Sequence, residues 1–138
     1  MHVRHLPGWG PASRVARVQT VAVVATTATA VLYFLIGLGV LWVGTSTSSD
    51  TTDLGAFGAI VGTVFAITAL LLARFRSRLL WAAVAVLQVT VIVGYIVVGS
   101  VRSPAFEGWG LLVKACQVVI LIAMGYMLLR GAEEPGPA

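Results

Sequence analysis

The chain has 138 residues, of which 59 % are hydrophobic and only 10 % charged, with a formal net charge of +4. Ordinary soluble domains carry about 25 % charged residues, so this chain lacks the ionised groups that would cover a water-facing surface. It reads as one membrane-embedded domain, and its single cysteine, Cys116, excludes an internal disulfide, a C-x-x-C redox pair and a cysteine-rich metal site.

In chain order, residues 1–17 carry His2, Arg4, His5, Arg14 and Arg17 with Pro7 and Pro11, and read as a cytoplasmic N-terminal segment. The apolar run 18–44 is about twice as long as a signal-peptide core, so it reads as the first transmembrane helix. At about 1.5 Å per residue it would span roughly 40 Å, and should tilt or protrude from a hydrocarbon core of about 30 Å. Residues 44–53 are rich in serine and threonine, with Asp50 and Asp53, and read as a polar loop. A second span is expected at 54–73. Arg74, Arg76 and Arg78 then form a basic connector, short enough to make its flanking helices antiparallel neighbours. A third span is expected at 79–99. In the next connector Ser103-Pro104 has the form of an N-cap followed by proline at the first helical position. The fourth span is expected at 109–129, and the tail 130–138 is too polar and proline-rich to pack, hence expected to be disordered. The fold class is therefore an all-α integral membrane protein of four antiparallel helices in a small bundle. No internal repeat is evident, which removes support for an inverted-repeat transporter within one chain.

Orientation follows from the distribution of lysine and arginine. Arg4, Arg14, Arg17, Arg74, Arg76, Arg78 and Arg130 lie on the side of both termini, against Arg102 and Lys114 on the other. Both termini are expected in the cytoplasm, with Trp42 and Trp109 at the outer interface and Trp81 at the inner one. The basic residues cluster at segment ends rather than in an aromatic-laced patch, which argues against nucleic acid. Contact with anionic membrane lipid explains them, and Arg74, Arg76 and Arg78 are the expected headgroup contacts. The preponderance of arginine over lysine, with abundant alanine, valine and glycine, suggests a bacterial source.

Lipid offers no hydrophobic force between helices, so small residues and interhelical hydrogen bonds must hold such a bundle. On the second span Gly55, Gly58, Ala59, Gly62 and Ala66 share a face, which makes it the expected central packing helix. Thr26, Thr29, Ala30, Tyr33 and Gly37 share a face of the first span, and Trp81, Gln88 and Tyr95 recur every seven residues on the third. On the fourth, Glu107, Lys114 and Gln117 align if the helix starts early enough. Counting depth at about 1.5 Å per residue places Tyr95 level with Lys114 and Gln88 level with Gln117, with Tyr33 in the same outer half. The sequence thus permits a polar seam between the third and fourth spans, formed by Gln88, Tyr95, Lys114 and Gln117, with Tyr33 and Glu107 nearby.

Lys114 is the only charge well inside a span. An intramembrane charge is a functional hypothesis by default, yet Lys114 is close enough to Trp109 to snorkel to the surface beside Glu107. Gln88 and Gln117 read first as interhelical glue, the threonines as self-bonded to their own helices, and Cys116 as a small buried residue off the lysine stripe. The chain resembles small multidrug exporters in size and helix number, but its first span offers Thr26, Thr27, Thr29 and Tyr33 where those proteins depend on a carboxylate. No histidine lies in any span, and no catalytic motif is present. No enzymatic activity, cofactor or metal is expected. The expected function is a structural or accessory membrane subunit or a small-ligand-binding bundle. The alternative is an oligomeric transporter or channel with its path between the third and fourth spans, and the most distant a membrane enzyme using Lys114. The expected partners are membrane lipids and a second copy or a larger membrane complex.

Overall fold

A backbone in hydrocarbon must satisfy its own N–H and C=O groups, and helices do so within one segment. A computed structural model of the protein describes residues 11–42, 53–100 and 106–130. These form α1 (Pro11–Gly37), α2 (Asp53–Arg74), α3 (Arg78–Gly99) and α4 (Gly108–Arg130), each long and apolar enough to cross a membrane. The expected polar loop 44–52, the Ser103-Pro104 cap, and the segments 1–10 and 131–138 lie outside the described residues.

The second to fourth spans fall within a residue or so of their expected limits, whereas α1 is displaced towards the N-terminus. It starts at Pro11, a residue suited to a first turn because its missing N–H would be unbonded there anyway. It stops at Gly37 rather than running to 44. Gly39 takes the left-handed conformation (φ 72°), its N–H donates to the Ile36 carbonyl at 3.0 Å, and the Val40 N–H donates to the Leu35 carbonyl at 2.9 Å. That pair of bonds is the Schellman termination, which a glycine permits and which ends a helix whatever the hydrophobicity beyond it. α4 begins at Gly108: the Glu107 carbonyl accepts from the Leu111 N–H at 3.0 Å, so Glu107 is the capping residue and not part of the helix. Phe106 just before it has φ 57°, unusual for a bulky residue, and its ring packs edge-on to Tyr95 with centroids 6.0 Å apart.

The helices pack in the order α2, α1, α4, α3. Two expectations are corrected here. The central helix is α1, which packs on both α2 and α4, and not the glycine-rich α2. The short connector Phe75–Ser77 does not make α2 and α3 extended neighbours; they meet slightly, and α3 rests on α4. A short connector fixes the ends of two helices but not their crossing, and the glycine face of α2 is already committed to α1. There Gly37, Gly55 and Gly58 face one another so closely that a Cβ on Gly58 would stand 2.5 Å from the Gly37 Cα and 2.6 Å from the Tyr33 carbonyl oxygen. Gly62 faces the Phe34 ring, Ala66 packs against Phe65 and its neighbours, and Ala59 is exposed at the margin, where its backbone rather than its methyl group meets Gly37.

Two apolar clusters fill the interior. One, towards the arginine-bearing end, contains Ala22, Leu72, Trp81, Ile120 and Met124; the other, towards the end with Trp42 and Trp109, contains Ala30, Tyr33, Phe65 and Val113. Trp81 is 4 % exposed and belongs to the core, not to the interfacial belt expected for it, because its seven-residue stripe turns towards α4. Trp42 and Trp109 are exposed.

Candidate functional site

Between the two apolar clusters lies a layer of buried polar side chains: Thr26, Thr29, Gln88 and Gln117, each 0 % exposed. The threonines are satisfied locally, donating to Ala22 and Ala25 carbonyls at 2.7 and 2.9 Å, as Thr63 and Thr68 do to Ala59 and Val64 at 2.7 and 2.8 Å. The two glutamine amides are not bonded to their own helix backbone, and they differ in the partners they find.

Gln117 finds them together with Lys114, one turn away. The Lys114 ammonium donates to Gln117 Oε1 at 2.6 Å and to the Tyr33 hydroxyl at 3.3 Å, and Gln117 Nε2 donates to the same hydroxyl at 3.5 Å. Two groups on α4 thus converge on one oxygen of α1. The ammonium also lies 4.8 Å from the Tyr95 ring centroid and 5.8 Å from that of Tyr33, within the range of cation–π attraction. Tyr33 is held by its ring, stacked on Phe65 at 5.6 Å and 17° and edge-on to Phe57 at 6.0 Å. The hydroxyl is aimed by aromatic packing, and the lysine and glutamine come to it.

The Tyr95–Lys114 level of the seam is therefore present, with α1 as a third wall that the depth count placed nearby but did not connect. Lys114 is half-buried and turned inward; it makes no ion pair with Glu107, which is itself buried at the start of α4. Cys116 is half-buried rather than buried. Tyr95 also crowds Gly110, where an added Cβ would collide with its hydroxyl and ring, so glycine there lets α3 and α4 approach.

The Gln88–Gln117 pair does not form as a hydrogen bond. Seven residues from the Tyr95–Gly110 contact, moving down α3 and along α4, are Gln88 and Gln117; seven further are Trp81 and Met124, which share a core cluster. The register thus sets the glutamines level. But Gln117 is turned to Lys114 and Tyr33, and both the Oε1 and Nε2 of Gln88 are buried with no hydrogen-bond partner.

Towards the arginine-bearing end, sequence reading passed over Gln19. It is buried, and its Nε2 donates to the Leu72 carbonyl at 2.6 Å. Leu72 lies in the last turn of α2, where carbonyls lack a partner in their own helix, so Gln19 caps α2 from α1. Only its position on the buried face of a polar residue inside the first span could have singled it out. Arg74, Arg76 and Arg78 are all exposed.

No group of three or more histidine, cysteine, aspartate or glutamate side chains that could hold a metal occurs among the described residues. Comparison with protein-family models, curated protein sequences and solved structures finds no match to the chain.

Proposed function

We propose that the protein is a non-catalytic structural or accessory subunit of a bacterial cytoplasmic membrane, with both termini in the cytoplasm. The orientation is supported by the arginines: Arg14, Arg17, Arg74, Arg76, Arg78 and Arg130 flank the spans at the end where both termini lie, and lysine and arginine favour the cytoplasmic side. The observation that carries the functional reading is the mutual engagement of Lys114, Gln117 and Tyr33. An ammonium held 2.6 Å from an amide oxygen and 3.3 Å from a hydroxyl, beside an aromatic face, is used as a brace between α1 and α4. Polar side chains in that role set which helices meet in a solvent that cannot drive them together.

The buried amide of Gln88 supports a second reading, a bundle that binds a small hydrogen-bonding molecule at the α3–α4 seam. An oligomeric transporter would use the same seam. The readings separate in native mass spectrometry of the chain extracted from its own membrane in mild detergent. A stoichiometric complex with another membrane polypeptide is the expected result, whereas a complex of copies of this chain alone would favour the oligomeric transporter. The 14.4 kDa chain alone, or with a small molecule lost on Gln88→Leu, would contradict the accessory reading.

A further inference from the structure

A groove of about 600 Å³ lies between α1 and α2 at the arginine-bearing end, open on one side and far from the Lys114 cluster. Its walls combine three kinds of surface. Val23 and Val24 supply an apolar flank that continues along the span, Thr20 and Gln19 supply polar atoms, and Arg74 and Arg76 supply two cations at the rim. Thr20 already donates to the Ala16 carbonyl at 3.1 Å. Both arginines are exposed and neither forms an ion pair with a described residue. Gln19 is 7 % exposed and fixed in place through Nε2, which leaves its Oε1 as a buried acceptor without a hydrogen-bond donor. Two guanidiniums lining one groove favour a phosphate-type anion over a neutral group.

We infer that this groove is a binding site for an anionic phospholipid, with the phosphodiester on Arg74 and Arg76 and an acyl chain along Val23 and Val24. Its size lies within the range of about 300–1,000 Å³ usual for small-molecule sites. The apolar flank decides between the sources of a phosphate: it adjoins the hydrocarbon, where an acyl chain lies and a soluble phosphate would leave the wall bare. The inference is independent of the brace and of the orientation of the chain, because it needs only the groove and its two arginines.

The test is native mass spectrometry of the purified chain reconstituted with equal amounts of phosphatidylcholine and phosphatidylglycerol. One phosphatidylglycerol should be retained in preference to phosphatidylcholine. Arg74→Gln together with Arg76→Gln should lower its retention about thirtyfold, at the usual worth of an arginine beside an anionic surface. Arg78→Gln removes one such charge two residues beyond Arg76 but outside the groove, and should lower retention by no more than the roughly fivefold worth of a single surface arginine. Equal losses in the Arg78 variant, or no loss in the double variant, would overturn the site. Excess soluble glycerol phosphate should leave the lipid in place; its displacement would assign the groove to a free phosphate instead.

Discussion

Gly58→Ala will loosen α1 from α2 and destabilise the protein by about 3 kcal/mol, the upper part of the range for overpacking a close contact. The added methyl group would stand 2.5–2.6 Å from the Gly37 Cα, the Gly37 nitrogen and the Tyr33 carbonyl oxygen. All three are backbone atoms, so no rotamer change relieves the collision and the helices must separate. Separation also displaces Tyr33, so the brace weakens with the glycine contact. Gly58→Leu, with a larger side chain at the same point, should prevent the native α1–α2 contact altogether. Gly94→Ala is the control. A Cβ at Gly94 meets nothing within 4 Å, and the change should be neutral or stabilising by up to about 1 kcal/mol through the lower flexibility of alanine. Detergent-to-SDS unfolding titrations of the two alanine variants check the difference; equal stabilities would contradict the packing described.

Gln117→Leu should cost about 2–3 kcal/mol, because it removes the nearest acceptor of a half-buried ammonium and one of two donors to Tyr33. Leucine fills the space, so the loss is electrostatic rather than steric. Lys114→Met in the same background should recover most of it, since the charge left without its acceptor is then gone. The same titration reads both variants. A Gln117→Leu protein as stable as wild type would mean that Lys114 is solvated at the surface and owes nothing to the amide.

The four spans were legible because each is an apolar run of membrane length and the breaks between them carry charge, proline or serine and threonine. The Tyr95–Lys114 level was legible because rise per residue and antiparallel order fix depth well enough. What sequence could not supply was the neighbour list. Every span carries a stripe of small or polar residues, and a stripe says that a face is packed without saying against which helix. Hence the glycines of α2 meet another helix, and that helix, α1, is the centre of the bundle. The end of α1 was missed for a different reason: hydrophobicity continues through Leu38, Val40 and Leu41, whereas the chain obeys the local geometry of Gly39. Trp81 was misplaced because an indole near a span end fits an interfacial belt and a packing stripe equally well, and only the register with Met124 decides between them.

Of the candidate site, Lys114, Gln117, Tyr33 and Tyr95 come together, while Glu107 is not bonded to the lysine and the Gln88 amide is left over. The depth count matched side chains by level alone, and Gln117 could meet either Gln88 or Tyr33. The charge on Lys114 decides, because an amide oxygen is held more strongly by an ammonium than by another amide.

The most direct test of the brace is a double-mutant cycle of Tyr33→Phe and Lys114→Met, with the unfolding free energy of all four proteins measured in one detergent. Phenylalanine keeps the ring contacts with Phe65 and Phe57 and deletes only the hydroxyl. A coupling of about 1–2 kcal/mol between the two positions is expected, near the upper end of measured intramembrane hydrogen bonds and raised by the charge. Strictly additive losses would mean that Lys114 does not reach Tyr33, and that Gln117 alone links α4 to the hydroxyl of α1.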